Sequence, residues 1–255
     1  MDLGLAGRVA IITGGARGIG LAHARALGAE GAKIVLNDID SASVEQAVAE
    51  LRGQGIEALA ACGDATDEQT VARAIESVMR DFGRIDILVN NAGIGVKPAA
   101  LVEDLPLDAW RRMLHAHLDS SFLWSRAVVA PMRTGDFGRI VNTSSMNFTG
   151  GGRAGVAHYS AAKAGIVGLT QTMAKEVGVH GITVNAIAPG YVATELIAQF
   201  SDDMRQRLRS QNPIGRLCEP QEVAALVTYL CSRQAAFING ECICIDGGRR
   251  DFYWG

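Results

Sequence analysis

The stretch VAIITGGARGIG, residues 9–20, decides the fold of this chain. Residues of strand type run directly into a glycine-rich turn, and a segment with helical periodicity follows. Glycine in such a turn allows a tight bend, a close approach of the backbone to a pyrophosphate, and packing of the next helix on the strand. Backbone N–H groups and the positive end of the helix dipole then face the anion. The candidate dinucleotide-binding residues in this turn are Gly14, Arg17, Gly18, Ile19 and Gly20.

The second strand-like segment, KIVLND, ends in an acid, Asp38, eighteen residues beyond Gly20. A carboxylate at this place can accept hydrogen bonds from the adenosine ribose hydroxyls and would repel a 2′-phosphate, so it favours NAD over NADP as the cofactor. Arg17 favours NADP instead, because a guanidinium can bind the 2′-phosphate. Asp38 also has a local interpretation as an ordinary N-cap or turn residue before the next helix, and this role is compatible with ribose binding.

The alternation of strand and helix continues along the whole chain. Segments of strand length and composition are VAIIT, KIVLND, ALAACGD, IDILVNNAG, GRIVNTSS, ITVNAIAPG and CICIDGG. Longer segments with helical periodicity lie between most of them. Regular alternation with strands rich in Val, Ile and Leu predicts a parallel sheet covered by helices on both faces. The predicted fold class is therefore α/β, a single-domain doubly wound (Rossmann) sheet of about seven strands.

No proline- or serine-rich linker, composition break or repeat divides the sequence, so we expect one domain over residues 1–255. The segment ELIAQFSDDMRQRLRSQNP, residues 195–213, has apolar residues at spacings that predict one or two short amphipathic helices. A long connection at the carboxyl edge of a sheet often forms a binding loop. We expect this insert to close over the substrate with its charges on the outer face.

Composition and charge limit the expected partners. The chain has 255 residues, of which 48% are hydrophobic and 20% are charged, and its net charge is −3. No basic face is predicted, which argues against nucleic acid and anionic membrane as partners. No apolar run reaches the roughly 18 residues of a membrane span, and the N-terminus does not have the pattern of a signal peptide. We expect a cytoplasmic protein.

Five cysteines without regular spacing are typical of a reducing compartment. Cys242 and Cys244 alternate within the strand-like segment ECICID, so both sulfurs would share one face. We expect buried apolar thiols and no metal site there, because no further ligands lie nearby in the sequence.

Tyr159 and Lys163 in YSAAK lie four residues apart, on the same face of a predicted helix. A free phenol has a pKa near ~10 and is a poor base at neutral pH. A neighbouring ammonium lowers that pKa and makes the tyrosine a usable proton donor and acceptor. Upstream, IVNTSS ends a strand with Ser144 and Ser145, whose hydroxyls would lie at the carboxyl edge of the sheet.

Four motifs in this order resemble the short-chain dehydrogenase/reductase family: TGGARGIG, NNAG at 90–93, the two serines before YSAAK, and PGYVAT at 189–194. The resemblance extends from the first strand to DGG at 246–248. It implies hydride transfer between a nicotinamide cofactor and a small-molecule alcohol or ketone, in a homotetramer built through the long helices. Burial against another subunit is also expected for three tail aromatics, Phe252, Tyr253 and Trp254.

The resemblance also implies roles for individual residues. Tyr159 would be the catalytic acid and base, Lys163 would bind the nicotinamide ribose and lower the pKa of the tyrosine, and Ser145 would hydrogen-bond the substrate oxygen. Further cofactor contacts, from the adenine through the ribose to the nicotinamide, would be Asp64 and Ala65, Asn91 and Gly93, and Pro189, Val192 and Thr194.

Two places depart from the family's pattern. Ser145 and Tyr159 are fourteen residues apart where the family has thirteen, and the three glycines at 150–152 can absorb the extra residue. Seven residues after Trp110, the family has an asparagine that links a water to the lysine, whereas this chain has His117. An imidazole can also donate and accept hydrogen bonds. His117 is therefore either a fourth catalytic residue in a proton relay or a structural histidine beside the site.

Three functions are consistent with the sequence. The first is an NAD-dependent oxidoreductase that acts on a secondary alcohol or its ketone, apolar or cyclic. The second is an NADPH-dependent reductase of 3-oxoacyl thioesters, against which Asp38 and the lack of a basic docking patch count. The third is a non-catalytic dinucleotide-binding protein, which is disfavoured by the presence of Ser145, Tyr159 and Lys163.

Overall fold

The strands assemble into one sheet in the computed structural model, which describes residues 2–135, 137–149 and 154–248. The strands are β1 (Val9–Thr13), β2 (Lys33–Asn37), β3 (Ala58–Ala60), β4 (Ile87–Asn90), β5 (Gly138–Thr143), β6 (Ile182–Pro189) and β7 (Cys242–Ile245). Their spatial order is β3-β2-β1-β4-β5-β6-β7, and every neighbouring pair is parallel. The predicted doubly wound sheet of seven strands is confirmed.

Helices connect these strands. They are α1 (Gly18–Ala29), α2 (Ser41–Gly53), α3 (Glu68–Phe82), α4 (Leu107–Leu114), α5 (Ser120–Thr134), α6 (Ala157–Val177), α7 (Glu195–Ala198), α8 (Asp202–Ser210) and α9 (Pro220–Leu230). A π-helical turn, His115–Asp119, joins α4 to α5.

Strand β1 shows how helices cover both faces of the sheet. Its side chains alternate, so Ala10 and Ile12 are buried in one apolar cluster while Val9 and Ile11 are buried in another. The first cluster includes residues of α1, α2 and α9, and the second includes residues of α3, α5 and α6. Both faces are therefore covered, as the apolar strands predict.

The site lies where the direction of strand addition reverses. From β1 the chain moves outward through β2 to β3, and it then returns to place β4 on the other side of β1. A crevice forms outside the carboxyl ends of the strands at such a point. The turn after β1 and the NNAG segment after β4 therefore face each other.

A buried amide network fixes β4 and β5 below this crevice. The Asn90 side chain donates to Asn142 Oδ1 at 2.8 Å and to the Ser125 hydroxyl on α5 at 2.9 Å. Asn142 in turn donates to the Thr170 hydroxyl on α6 at 2.9 Å. Since buried amides must find partners, this network ties two strands and two helices into one arrangement.

The insert between β6 and α9 forms two short helices, α7 and α8, as its periodicity predicts. Ile197, Leu208 and Leu217 are buried together there. Asp202 and Asp203 are exposed on the outside of α8. Part of the apolar side of the insert thus faces the protein, whereas Phe200 and Met204 are each 39% exposed.

The expectation of buried thiols on β7 is wrong in degree. Cys242 and Cys244 are each only partly buried, because β7 is the last strand of the sheet and has a neighbouring strand on one side only. The tail aromatics Phe252, Tyr253 and Trp254 lie outside the described residues. Within the three described ranges, no helix is long and apolar enough to cross a membrane.

Candidate active site

The glycine turn after β1 depends on having no side chains at three places. Gly14 and Gly18 have φ values of +60° and +55°, in the left-handed region that favours glycine. A Cβ on Gly20 would lie 2.1 Å from the carbonyl oxygen of Gly14. The Asn91 side chain donates to that same oxygen at 2.9 Å and to the Thr13 carbonyl at 3.2 Å. Asn91 therefore holds the turn in shape with its amide.

The start of α1 has the features of an anion site. Arg17 occupies its N-cap position with no side-chain hydrogen bond to the helix, and the first turn contains no acidic residue. The next two helices differ, since Asp40 caps α2 and Asp67 caps α3. An uncapped N-terminus leaves backbone N–H groups for a ligand. This end of the crevice fits the diphosphate of a dinucleotide.

Asp38 directly follows β2 and turns towards the glycine turn. Its carboxylate accepts hydrogen bonds from the backbone N–H groups of Ala16 and Asp40, both at 3.3 Å. The N-cap interpretation of Asp38 is wrong, because Asp40 caps α2 by accepting from the Ser43 backbone at 3.2 Å. The alternative interpretation of Asp38 as a turn residue agrees with its hydrogen bond from the Asp40 N–H. Hydrogen bonds from Ser43 lower the pKa of Asp40, and the charge of Arg17 adds to that effect.

The two serines after β5 have different environments. The Ser144 hydroxyl donates to the Lys163 carbonyl at 2.8 Å, and its backbone N–H donates to Ile187 on β6. The Ser145 hydroxyl instead acts on Tyr159, whose pKa it lowers as a hydrogen-bonding neighbour, and it accepts from the Asn147 N–H at 3.3 Å. The longer interval between Ser145 and Tyr159 thus keeps Ser145 beside the tyrosine, which favours Ser145 over Ser144 as the reactive partner.

Lys163 is buried one helical turn beyond Tyr159. Its Nζ donates to the Thr143 carbonyl at 2.6 Å and lies 5.7 Å from the centre of the Tyr159 ring. Burial lowers the pKa of Lys163 to about 7. Burial also raises the pKa of Tyr159, and the hydrogen bond from Ser145 only partly opposes this. The expected lowering of the tyrosine pKa by Lys163 is not observed in this structure, because desolvation of the phenolate is the larger effect.

His117 enters the site from the π-helical turn. Only 4% of its surface is exposed, and its ring meets the Tyr159 ring edge to face at 5.4 Å. In a π-turn one additional residue occupies the turn, and here the Ser120 N–H donates to the His115 carbonyl five residues back. The Ser121 hydroxyl donates to the His117 carbonyl at 2.7 Å and satisfies an acceptor that the widened turn leaves free.

The other cofactor candidates lie either at or just after the end of β6, or after β3. Thr194 lies beside the glycine turn, since a Cβ on Gly18 would contact its methyl group at 3.7 Å. Pro189 is buried at the end of β6, and Val192 is buried and pairs with Cys218. Ala65 is also buried, whereas the Asp64 side chain is exposed and accepts from the Thr66 backbone and hydroxyl in its own turn. The Asp64 carboxylate thus has a local structural role.

Two features of the site were not predicted from the sequence. Tyr191 acts electrostatically on Tyr159 and adds to the raised pKa of that hydroxyl, so the two phenols share one region. The motif PGYVAT contains this residue, and its location after β6 could have indicated it. The Asn90–Asn142 contact joins residues 52 apart and has no local sequence signal. No cluster of three or more potential metal ligands occurs among the residues described.

The chain is similar to known proteins over almost its whole length. A family profile described as enoyl-(acyl carrier protein) reductase matches residues 14–250. The chain is 40% identical to cis-4-hydroxycyclohexanecarboxylate dehydrogenase of Sinomonas cyclohexanicum over 97% of its own length and 98% of that protein's. It is 38% identical to a 3-oxoacyl-[acyl-carrier-protein] reductase of Vibrio cholerae over 96% and 98% of the two chains.

A solved structure of a related protein is also similar to this chain. A double mutant of a Serratia marcescens short-chain dehydrogenase/reductase, 36% identical, matches 96% of this chain and 99% of its own with a TM-score of 0.90. The chain belongs to the short-chain dehydrogenase/reductase family. It is an oxidoreductase of alcohols or ketones in a family that uses nicotinamide cofactors.

Proposed function

We propose that this protein is an NAD-dependent dehydrogenase of secondary alcohols, or reductase of the matching ketones, with an apolar or cyclic substrate. The observation that carries the proposal is the interaction of Ser145 with Tyr159, with Lys163 one turn further along α6. Two hydroxyls held together at the carboxyl edge of the sheet can bind one substrate oxygen and exchange a proton with it.

The chemistry supplied by a bound nicotinamide is hydride transfer. The protein's contribution is to place and move the proton. Because burial raises the pKa of Tyr159, its hydroxyl is protonated at neutral pH and can donate to a ketone oxygen as charge develops there. In the oxidation direction Tyr159 accepts the proton, with Ser145 as a second hydrogen-bond donor to the substrate oxygen and Lys163 close enough to stabilise a phenolate.

The preference for NAD rests on the two acids at the ribose end of the crevice. Asp38 lies against the glycine turn, and Asp40 follows two residues later. A 2′-phosphate bound there would meet both carboxylates, and repulsion between like charges at short range costs several-fold to a hundred-fold in affinity, about 1–3 kcal/mol. Arg17 would offset part of this repulsion, but its charge already acts on Asp40.

The apolar substrate is inferred from the insert that follows β6. Ile197, Leu208 and Leu217 form an apolar cluster, against which Tyr191 and Ala193 pack. Tyr191, which packs against this cluster, also acts electrostatically on Tyr159 and so lies near the reacting groups. The similarity to a dehydrogenase of a hydroxycyclohexane carboxylate supports a ring-bearing alcohol.

A second candidate is a reductase of 3-oxoacyl thioesters that uses NADPH. Arg17 at the uncapped start of α1 favours it, because the guanidinium can reach a phosphate. The 38% identity to a 3-oxoacyl-[acyl-carrier-protein] reductase also favours it. The two candidates differ in both coenzyme and substrate, so one experiment separates them.

That experiment is a matrix of secondary alcohols, ketones and 3-oxoacyl thioesters against NAD(H) and NADP(H), followed by nicotinamide absorbance. We expect the highest kcat/KM with NAD(H) and a cyclic alcohol or ketone. Tyr159→Phe serves as the background control and should lose about a thousandfold in kcat while its coenzyme affinity stays within about threefold. Highest kcat/KM for a thioester with NADPH would select the second candidate, and turnover of Tyr159→Phe near the wild-type rate would contradict both.

We further propose that residues 1–255 act as one domain within a cytoplasmic homotetramer built through the long helices. Phe122 on α5 is 44% exposed, with the Arg126 guanidinium 5.2 Å from the ring centre. An exposed ring on a long helix suits burial against a second copy. Light scattering of the purified chain should give four times the mass of one chain, and a monomer at micromolar concentration would contradict this proposal.

A further inference from the structure

The space beneath His117 is kept open by a glycine. A Cβ placed on Gly93 would lie 2.3 Å from Cε1 of the imidazole and 2.6 Å from Nδ1. No side chain fits at Gly93 while the ring is in place. The segment after β4 and the ring from the π-helical turn are therefore packed as a pair.

One nitrogen of the ring is committed to the backbone of that segment. His117 Nε2 lies 3.1 Å from the Ile94 carbonyl oxygen and 3.3 Å from the Ile94 nitrogen. A neutral ring with hydrogen on Nε2 donates to the carbonyl, and the other tautomer accepts from the N–H. Either way Nε2 bonds to Ile94.

The other nitrogen is buried. Nδ1 has no hydrogen-bond partner among the residues that the structure describes. A proton relay must take up a proton at one nitrogen and release it at the other. Here the route through Nε2 ends on a backbone amide, which does not pass protons on.

The surroundings also keep the ring uncharged. Burial lowers the pKa of His117 well below its ordinary value, and the charges of Lys163 and His158 lower it further. The hydrogen bond with Ile94 opposes this shift but is outweighed. Tyr159 meets the ring with its edge and offers no carboxylate to stabilise an imidazolium.

We propose that His117 is a positioning residue, which fixes the Gly93–Ile94 backbone at the edge of the crevice through Nε2 and does not carry the substrate proton through Nδ1. The inference rests on the proposed function only for its kinetic effect. Ile94 is 38% exposed, so the segment that His117 holds lies at the surface of the crevice. Small shifts of such a segment misplace the reacting groups.

Two substitutions at His117 distinguish the role of Nε2 from that of Nδ1. The amide nitrogen of Gln reaches about as far as Nε2 of histidine, whereas that of Asn reaches only about as far as Nδ1. We expect His117→Gln to keep at least about a third of the wild-type kcat/KM, and His117→Asn to lose about tenfold or more, because a buried backbone partner is left unpaired. The reverse order, with Asn active and Gln inactive, would overturn the proposal. His115→Gln and His115→Asn on the exposed side of the same turn are the matched controls.

Spectroscopy tests the inference without turnover. In the coenzyme-free protein, the ¹⁵N signals of His117, assigned from the His117→Gln variant, should show a neutral ring that does not titrate between about pH 6 and 8. A titration in that range would overturn the proposal. If no alcohol or ketone is turned over by the wild type, the proposed function fails, and this measurement still decides the state of His117.

A second pair of variants covers the case in which His117→Asn does not fold. Gly93→Ala should lower the melting temperature strongly in the wild-type background, because the new methyl group meets the imidazole. In the His117→Ala background the same change should have a much smaller effect. Equal effects in the two backgrounds would show that the ring and Gly93 are not coupled and would overturn the proposal.

Discussion

The two halves of the crevice are built in different ways. The coenzyme half, made of the glycine turn at residues 13–20 and the segment 37–43, is shaped mainly by the backbone conformation of its glycines, to which the side chains of Asp38 and Asn91 add hydrogen bonds. The substrate half brings distant segments together through side chains, as in the contacts of Ser145 with Tyr159 and of His117 with Ile94. A change in the first half should therefore decide whether the site forms. A change in the second half should decide how fast it works.

The largest effect is expected in the coenzyme half, from Gly20→Ala. The new methyl carbon would lie 2.1 Å from the Gly14 carbonyl, and neither backbone can move without opening the turn. We expect at least about a hundredfold weaker coenzyme binding, or failure to fold, because overpacking against backbone has no inexpensive relaxation.

Gly53→Ala is the control for that change. Gly53 ends α2, is exposed, and has open space around the added carbon. There we expect no loss of coenzyme binding and a stability gain of about 0.5–1 kcal/mol, because alanine favours helix more than glycine does. Calorimetric titration with NADH and thermal unfolding measure both variants. Normal coenzyme affinity in Gly20→Ala would contradict the claim that changes in the coenzyme half decide whether the site forms.

The next effect belongs to the substrate half and uses the neighbouring serines. Ser145→Ala should lower kcat about a hundredfold, because it removes the hydroxyl bonded to Tyr159. Its melting temperature should stay close to that of the wild type.

Ser144→Ala should show the opposite pattern. Its hydroxyl bonds the Lys163 carbonyl inside the protein, so we expect a loss of about 1–3 kcal/mol in unfolding free energy and a kcat within a few-fold of wild type. Steady-state kinetics and chemical denaturation on the same samples provide the test. A larger kcat loss in Ser144→Ala than in Ser145→Ala would reverse the assignment.

A smaller effect is expected on coenzyme preference. Asp38→Asn removes a charge at the glycine turn while retaining an acceptor, and we expect the NADPH to NADH ratio of kcat/KM to rise about tenfold. Asp40→Asn removes a charge two residues away and retains the cap of α2, so we expect a rise of about two- to threefold. Equal ratios in both variants would show that Asp38 does not face the ribose.

The sequence predicted the coenzyme half better than the substrate half for a physical reason. Glycines that must have positive φ, and strands that must be apolar on both faces, leave local patterns, and these predicted the parallel seven-stranded sheet and the turn, but not the order of the strands. The amide pair of Asn90 and Asn142, and the contact of His117 with Ile94, join residues far apart in sequence. The raised pKa of Tyr159 likewise depends on burial, which a four-residue spacing does not report.

Stability in acid should depend on His23 on α1, which lies outside the two segments of the coenzyme half. It is fully buried, neither ring nitrogen has a hydrogen-bond partner among the described residues, and burial lowers its pKa to about 3. Below a pH of about 6.5 the unfolded chain binds a proton that the folded chain refuses until about pH 3. Stability should therefore fall as the pH falls through this window, by up to roughly 1.4 kcal/mol per pH unit from this one group.

His23→Leu isolates this contribution from that of the carboxylates. Asp40 and Asp67 also have lowered pKa values, so their contributions to the stability of the fold are lost in acid, but both residues are unchanged in the variant. We expect the unfolding free energy of His23→Leu, relative to wild type, to increase steadily as the pH falls from about 7 to 5. His180→Gln at an exposed position is the control for the loss of a histidine. If His23→Leu instead shows a constant difference from the wild type, the His23 ring is protonated inside the fold, and a buried partner must stabilise that charge.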